Sequence, residues 1–337
     1  TASGQTLLRQ AFPYCAALYS ELQRSLAALL PEGSITYGQK ITSAEALPDG
    51  SMRVCAQDGS GIACDLVVAA DGPRSVFRDQ VEPGAGAMRC AGYFSWRGMV
   101  PVDSLPEDTR AALRSSYSDF GNCLYFVLAD GPRQSAVLYD IGNGLANWLI
   151  YENSTEPFSQ VGHTTARAPA ERLRNLQSTA RSQWGDALGG IIEATPEPFV
   201  NDIYDLQQPL STFFRGSLAL LGDSAHAITP HMAKGSNLAL HDAFVLASAA
   251  AEANDLPGML QEYSASRAQE CARCLMLSRH LGRLRNGMVR GGEAPPRDGP
   301  AFQALLRSQG LATRTLPVGD AFDLVWAFME RRLPEAE

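Results

Sequence analysis

One stretch in the second half of the sequence carries residue types suited to binding a large polar ligand. An apolar run, residues 218–221, predicts a buried strand, and Asp223 follows it almost at once. A loop with Pro230 and Gly235 then leads to an alanine-rich helix that is predicted to begin near Ser236. The unpaired N–H groups and the dipole of a helix N-terminus favour negative charge. This order indicates a ligand site, and the alternative is an ordinary strand-to-helix turn with a capped helix.

A second stretch, about 150 residues earlier, ends an apolar strand at Asp71 and Gly72 and continues into a turn and a basic helix start. Gly72 permits close approach of the backbone to a ligand. Arg74, Ser75 and Arg78 can address phosphate oxygens. An Asp-Gly pair after a strand is also a common turn. The pattern therefore indicates a ligand site only in combination with the first stretch.

The residues between these two stretches differ from them in composition and hydrophobic pattern. Residues 169–189 predict a helix, and residues 196–214 are expected to return the chain to the parallel sheet. Four β-branched or aromatic runs, separated by Gly, Asn, Asp and Pro turns, predict an antiparallel sheet: 91–99, 123–128, 134–141 and 145–151.

Helices are predicted at both ends of the chain. Leucines at helical spacing predict a helix over residues 7–30, ended by Pro31 and Gly33. Residues 260–285 predict one long amphipathic helix. A Gly/Pro-rich linker and two shorter helices are expected after it, at 287–300, 301–310 and 320–332.

Composition excludes several classes of protein. A chain of 337 residues, 45% hydrophobic and 19% charged, is typical of a globular protein with two domains. The net charge of −8 argues against nucleic-acid or anionic-membrane partners, and no apolar run is long enough to span a bilayer. The seven cysteines lie in apolar stretches, which favours reduced core residues of a cytoplasmic protein. Cys271 and Cys274 lack a second ligand pair, so no metal site is predicted.

The later stretch resembles the second FAD-binding motif of the single-component flavoprotein aromatic hydroxylases, usually written G-D-A-A-H-x-x-x-P-x-x-G-x-G. Ala233 stands where most members have the first glycine, and His241 replaces the usual acidic residue. The run of residues 230–233 is similar to the 2,6-dihydroxypyridine 3-monooxygenase subgroup. The matching positions are Gly222, Asp223, Ala225, His226, Pro230, Gly235 and Asp242.

The earlier stretch is similar to the D-G-x-x-S-x-x-R motif of the same family, which lies beside the FAD pyrophosphate and is implicated in NAD(P)H use. The resemblance implies that Asp223 binds the ribityl or ribose part of FAD and that the following helix points its N-terminus at the flavin. The implied FAD-binding residues are Asp71, Gly72, Arg74, Ser75, Arg78, Gly222, Asp223, Ala225, Pro230, Ala233, Lys234, Gly235, Ser236 and Asn237.

The resemblance also implies a reaction. NAD(P)H would reduce the FAD, O₂ would add at flavin C4a, and the hydroperoxide would hydroxylate a small phenolic or hydroxy-heteroaromatic ring. The implied catalytic residues are Pro230, His231, which would handle a substrate hydroxyl proton, and Arg97. Arg97 lies in a Tyr-x-x-Trp-Arg-Gly strand and would contact the flavin or an anionic phenolate, or else form a structural salt bridge between domains. Tyr139, Trp148 and Tyr151 would line the pocket or belong to the core.

The expected fold is α/β: a partial Rossmann-like FAD-binding domain with a parallel sheet, an inserted antiparallel substrate domain and C-terminal helices. The expected boundaries are 1–88, 89–205, 206–258 and 259–337. The family's opening G-x-G-x-x-G unit has no counterpart, so we expect an incomplete FAD domain that binds FAD poorly. Two alternatives stay open: an epoxidase or reductase of the same fold, and a non-catalytic fragment without FAD. A homodimer is compatible with either.

Overall fold

A computed structural model of the protein describes residues 15–128, 134–159, 163–286 and 288. The described residues fall into two compact units, one within 1–37 and 92–203 and the other within 38–91 and 204–337. Helices and sheets occur in both sequence halves, which confirms the predicted α/β class. In the part of the chain that the structure describes, no helix is both long and apolar enough to cross a membrane.

The elements are numbered in chain order. The helices are α1 (Tyr19–Ala27), α2 (Arg78–Val81), α3 (Glu107–Ser116), α4 (Ala170–Ala194), α5 (Asp223–His226), α6 (Gly235–Glu252) and α7 (Leu256–Arg285). The strands are β1 (Ile41–Ala46), β2 (Met52–Ala56), β3 (Gly61–Cys64), β4 (Val67–Ala69), β5 (Met88–Pro101), β6 (Tyr125–Leu128), β7 (Ser135–Asp140), β8 (Leu145–Asn153), β9 (Thr165–Arg167), β10 (Phe199–Leu206), β11 (Phe214–Arg215) and β12 (Leu218–Leu220).

The unit within 1–37 and 92–203 is built on a six-stranded sheet with the strand order β6-β7-β8-β5-β10-β9. Strands β5 to β8 pair antiparallel, as the sequence predicted. Because side chains alternate between the faces of a strand, every second residue enters one core with helices α3 and α4. That core includes Phe94, Trp96, Leu138, Trp148, Ile150, Trp184 and Ile191.

The unit within 38–91 and 204–337 contains the parallel pair that the sequence predicted. Strand β12 lies parallel to β4, with Leu218 opposite Val67, and β11 joins its other edge antiparallel. All three residues of β12 are buried, as expected for a short, fully apolar strand. Helix α7 supplies Tyr263, Cys271 and Leu275 to the same core.

A separate antiparallel sheet, β1-β2-β3, was not predicted from the sequence. Its strands are short and mostly half-buried or exposed, so hydrophobic periodicity is weak there. A turn signal was present nevertheless. Gly50 and Gly59 each follow an aspartate and adopt positive φ angles of 88° and 85°, which is typical of hairpin turns.

Several predicted elements are corrected by the structure. Residues 196–214 were expected to return directly to the parallel sheet, but β10 first adds a strand beside β5 in the six-stranded sheet. The described part of the predicted 7–30 helix is only Tyr19–Ala27, since residues 28–30 form a turn. Helix α4 is interrupted at Gly185, with φ 74° and ψ 177°. The predicted linker at 287–300 and the helices at 301–310 and 320–332 lie outside the described residues, apart from residue 288.

Candidate functional site

The turn after β12 is held in an unusual backbone conformation by a buried carboxylate. Gly222 has φ 68° and ψ −141°, and its N–H donates to Asp242 Oδ2 at 2.9 Å. A Cβ atom at Gly222 would lie 3.1 Å from the Cβ of Ala239 in helix α6. Only glycine meets both conditions without strain, so the turn brings β12 and α6 into close contact. Ala225 is buried in α5 directly behind this turn.

Asp223 is the exposed residue of this otherwise buried turn. Its Oδ1 lies 4.0 Å from the point where a Cβ of Gly235 would stand, which places the carboxylate beside the start of α6. Among the described residues, none donates a hydrogen bond to this carboxylate. Atoms packed around one side of the carboxyl group desolvate it and raise its pKa, while the positive charges near it, at His226 and Arg78, oppose the shift. A free acceptor beside a helix N-terminus suits a ligand that carries hydroxyl groups.

The loop between α5 and α6 ends in a left-handed residue. Residues Pro230–Met232 form one turn of 3₁₀ helix, and Ala233 then adopts φ 51° and ψ 34°. This conformation costs a residue with a side chain about 1–2 kcal/mol. It accounts for the glycine that the resembled motif usually has at this position. Lys234, Ser236 and Asn237 are exposed around Gly235, so the first turn of α6 is accessible to a ligand.

In the earlier motif, two predicted residues stabilise the turn itself. Asp71 Oδ2 accepts a hydrogen bond from the Val76 N–H at 2.9 Å, and Ser75 Oγ accepts one from the Phe77 N–H at 3.1 Å. Gly72 has a φ of 82°, which this turn requires. Arg74 is exposed, and no ion pair is found for it within the described ranges. Arg74 is therefore the residue of this motif best placed to meet a phosphate.

Arg78 has a different role from the phosphate contact that was predicted. Its side chain is 2% exposed and donates to four backbone carbonyls, namely Pro73, Gly86, Asp223 and Ser224, at 2.6–3.2 Å. A buried guanidinium needs such partners, because its charge cannot reach water. Arg78 thus links the two motifs, and four of its five N–H donors are already engaged.

A buried network that sequence reasoning missed supports the turn from the other side. Asp242 Oδ2 accepts from His226 Nε2 at 2.6 Å as well as from Gly222, and Oδ1 accepts from Arg267 Nε at 2.7 Å. Burial by itself would raise the pKa of Asp242, but the hydrogen bonds from His226 and Arg267 outweigh it and lower the pKa. His226 Nδ1 is buried and has no partner among the described atoms. The network joins α5, α6 and α7 around one carboxylate.

Two signals in the sequence point to this network. Asp242 falls on a motif position inside an apolar helix, where an aspartate needs a partner. Arg267 lies four residues from both Tyr263 and Cys271, on the buried stripe of α7. A charged residue on the apolar stripe of each of two helices predicts a buried ion pair between them.

Three potential metal ligands also meet in this network. One ligand atom each from His226, Asp242 and Cys271 lies within 4.8 Å of the others. Arg267 donates both to Asp242 and to the Cys271 sulfur, and burial raises the pKa of the Cys271 thiol. The guanidinium therefore supplies the positive charge here, and the thiol is in its protonated, non-ligating form.

His231, the predicted catalytic histidine, is 4% exposed. Arg285 Nη1 lies 3.4 Å from its Nδ1 and donates to its backbone carbonyl at 3.2 Å. Burial and the charge of Arg285 lower the pKa of His231 well below 6.5, so the imidazole is neutral at pH 7. Pro230 precedes it at the first position of the 3₁₀ turn.

The predicted site residues of the other unit lie on its six-stranded sheet. Arg97 is half-buried on β5, and its Nε donates to Ser95 Oγ at 3.2 Å. Tyr139 is half-buried on β7, where burial raises its pKa and the charge of Arg97 opposes the shift. Trp148 is fully buried and donates to Thr195 Oγ1 at 2.8 Å, so it belongs to the core rather than to a pocket. Tyr151 is 3% exposed, on the face opposite that core.

Comparison with known proteins identifies relatives of this chain. Residues 161–278 match the FAD binding domain family. Salicylate hydroxylase of Pseudomonas putida is 30% identical over 275 residues, covering 77% of this chain and 61% of the relative. Aurachin C monooxygenase/isomerase of Stigmatella aurantiaca is 31% identical over 267 residues, covering 78% and 62%. The chain thus spans about three fifths of the length of these two relatives.

Solved structures share the fold. The 2,6-dihydroxypyridine-3-hydroxylase of Arthrobacter nicotinovorans superposes with a TM-score of 0.68 at 21% identity, covering 84% of this chain and 72% of that one. A Klebsiella pneumoniae protein complexed with FAD and uric acid superposes with a TM-score of 0.64 at 22% identity, covering 92% and 71%. At these identities the likeness concerns the fold alone.

Proposed function

We propose that this chain acts in an FAD-dependent monooxygenase, because residues 161–278 match the FAD binding domain family and the chain is similar to salicylate hydroxylase. The reaction would insert one oxygen atom of O₂ into a small phenolic or hydroxy-heteroaromatic ring, with NAD(P)H as the reductant. The name of one similar protein, salicylate hydroxylase, supports this substrate class.

One observation carries the proposal: an exposed carboxylate that accepts no hydrogen bond from the described residues stands beside the accessible start of a long helix. Asp223 is the only exposed member of α5, and the first turn of α6 begins beside it at Gly235. In a purely structural turn, a desolvated carboxylate with a raised pKa would cost stability and contribute no interaction. A ligand hydroxyl that donates to Asp223 would relieve this cost.

The residues present fit FAD. Asp223 would accept hydrogen bonds from ribityl or ribose hydroxyls, and the N–H groups at the start of α6, from Gly235 to Asn237, would face the negatively charged edge of the flavin. Arg74 and the turn of residues 71–75 would meet the pyrophosphate, and Lys234 would add a positive charge beside them. Bound FAD would supply the activation of O₂, and the chain would supply binding, orientation and exclusion of water.

His231 and Pro230 would act on the substrate side of this loop. A neutral imidazole can accept a hydrogen bond from a substrate hydroxyl group and so favour its ionisation. Because burial and the charge of Arg285 lower its pKa, His231 would accept this hydrogen bond as a neutral imidazole and would not hold the proton itself at pH 7. Contact of Arg97 with the flavin or an anionic phenolate stays a prediction from the sequence.

The decisive experiment measures flavin binding and coupled oxygen transfer in the full chain. We expect a bound flavin spectrum with added FAD, NADH or NADPH oxidation stimulated by a hydroxylated ring, and a product one oxygen atom heavier. His231→Ala should lower the ratio of product to NAD(P)H consumed and increase peroxide release. The exposed His163 gives the matched control, and His163→Ala should leave this ratio unchanged. Because the FAD domain is expected to be incomplete and to bind FAD poorly, FAD is added in large excess, and absence of flavin binding even then would overturn the proposal. Unchanged coupling in His231→Ala would remove His231 from it.

A further inference from the structure

We infer that a groove along helix α7 binds an aliphatic carboxylic acid of medium chain length. The groove lies within one unit, between α7 and the loop of residues 207–211. Its volume is about 590 Å³, which is within the range of small-molecule sites. None of the residues that line it belongs to the two FAD motifs, so this binding goes beyond the proposed function.

The loop is held against α7 at both of its ends. Arg279 Nη2 donates to the Gln207 carbonyl at 3.2 Å, and the Phe213 N–H donates to Ser264 Oγ at 3.0 Å. The loop therefore runs antiparallel to the helix, and the groove follows α7 from residue 268 to residue 279. At 1.5 Å per helical residue this span is about 16 Å. The groove is thus long, and its two walls are already in place.

The end of the groove at Arg279 carries an excess of positive charge. Asp205 is fully buried, and Arg89 pairs with both of its oxygens, with Nε–Oδ1 and Nη2–Oδ2 distances of 3.0 Å. Arg279 Nε also donates to Asp205 Oδ2, at 2.7 Å. Two guanidinium groups therefore share one carboxylate, and the three side chains together carry one net positive charge. Arg279 is the member of this cluster that lines the groove.

Arg279 keeps a donor for a ligand. Its Nε and Nη2 are engaged by Asp205 and by the carbonyls of Leu206 and Gln207. For Nη1 the one acceptor among the described residues is the sulfur of Met276, at 3.8 Å, and a thioether is a weak acceptor. The side chain is only 15% exposed, so water replaces little of the missing interaction. A carboxylate at this end would give Nη1 a charge-assisted hydrogen bond.

The rest of the groove suits an aliphatic chain better than an aromatic ring. Its apolar surface is formed by Pro209, Leu210, Ala268, Ala272 and Met276. None of the described lining residues is aromatic, so no ring offers a face for stacking. Ala268 and Ala272 lie four residues apart on one face of α7, and their small side chains leave room above the helix. A methionine adapts to the shape of a flexible chain.

The other end of the groove sets the direction of the ligand. Ser211 lines this end, and its N–H and Oγ donate to Glu82 Oε2 at 2.7 Å and 2.9 Å. The negative charge of Glu82 repels a carboxylate here, whereas Arg279 attracts one at the opposite end. The acid group would therefore lie at Arg279, and the chain would extend towards Ser211.

The first test compares acids with an uncharged molecule of the same length. Calorimetry measures the binding of hexanoate, octanoate, decanoate and octanamide to the full chain with excess FAD, below micelle-forming concentrations. We expect octanoate to bind about 10-fold more tightly than octanamide, as for a hydrogen bond between charged groups at a partly exposed site. Each two added CH₂ groups should tighten binding about fourfold, since an open groove buries each group only in part.

Two pairs of variants locate the binding. Gln208→Glu adds a negative charge on the loop side of the groove at an exposed position and should weaken octanoate binding about fivefold. Gln261→Glu makes the same change at an exposed position of α7 outside the groove and should have no effect. Ala272→Leu fills the floor and should weaken decanoate binding about 10-fold, whereas Ala265→Leu, exposed on the same helix, should not.

Because Gln208 is exposed, Gln208→Glu gives a result even if Ala272→Leu does not fold. The inference is overturned if octanoate binds no more tightly than octanamide, or if a longer chain does not improve binding. It is also overturned if Gln208→Glu and Gln261→Glu have equal effects, because the acid then binds elsewhere. Absence of flavin binding would contradict the proposed function alone, since the groove contains no residue of the FAD motifs.

Discussion

The charged residues on the two sides of the turn at residues 222–226 differ in burial and in their partners. Beneath it, Arg78, Asp242 and Arg267 are buried and saturated with protein partners. Above it, Asp223 and Arg74 are exposed and have no ion pair within the described residues. Apart from Arg267 of α7, these charged residues lie in two sequence motifs that do not distinguish buried from exposed positions. Burial divides them into those that hold the backbone and those that are free to bind.

The division has an energetic basis. A buried charge without its partner loses hydration that nothing replaces, so the lower set should control folding stability. Arg74 is hydrated in both the folded and the unfolded chain, and Asp223 loses hydration on folding without a hydrogen bond to its carboxylate from the described residues. Neither residue should therefore add stability, and both should affect ligand binding. Substitutions in one set at a time can therefore test whether the two sets differ in this way.

The largest effect is expected for Asp242→Ala. It leaves Arg267, His226 and the Gly222 N–H without their shared acceptor, and loss of one partner of a buried pair costs about 3–5 kcal/mol of unfolding free energy. Urea denaturation measures this loss. Asp65→Ala, at an exposed aspartate of the same unit, should cost less than about 0.5 kcal/mol.

The contribution of Asp242 should also depend on pH with a defined sign. Its pKa is lower in the folded chain than the ordinary value of 3.8, so its stabilising effect is complete above that value. The effect is lost as the pH falls through the lowered pKa. A difference in stability between the unaltered chain and Asp242→Ala that is constant from pH 7 to pH 2 would contradict the ion-pair assignment.

A smaller loss is expected for Arg78→Met. The methionine fills part of the volume but leaves four carbonyl groups without their donor, at a cost of about 3 kcal/mol. Arg74→Met, four residues earlier, is the matched control and should stay within about 0.5 kcal/mol. FAD affinity should show the reverse order, because Arg74→Met should weaken FAD binding more than Arg78→Met does. Equal stability of the two variants would show that Arg78 does not hold the motifs together.

Asp223→Ala should leave stability nearly unchanged and weaken FAD binding by about 2 kcal/mol, as expected for a hydrogen bond to a charged acceptor. Because burial raises the pKa of Asp223, its ionised form adds no stability to the folded chain at pH 7. For the same reason FAD affinity should fall on acidification, beginning above pH 3.8, in the unaltered chain and not in the variant. Flavin fluorescence titration measures both, and unchanged affinity in Asp223→Ala would remove this residue from the site.

Sequence reasoning found the elements and the exposed residues better than the buried contacts. The strands around Leu218 and Val67 and the long helix α7 were predictable, because apolar runs and helical spacing are local. The partners of Arg78 were not, since the carbonyls of Asp223 and Ser224 lie about 145 residues away along the chain. A motif shows which residue types recur at a turn, but burial decides whether an arginine serves the ligand or the backbone.

The smallest effect is expected at Ala233, where the loop itself stores strain. Ala233→Gly removes the cost of the left-handed conformation, about 1–2 kcal/mol, but adds the backbone entropy of glycine, so the net gain in stability is about 0.5 kcal/mol. Ala243→Gly, on the exposed side of α6, is the control and should lose about 1 kcal/mol. Thermal unfolding of both variants measures the opposite signs. If both variants lose stability equally, the backbone at residue 233 is not left-handed in solution. If they differ in sign, the loop before α6 is held at a conformational cost.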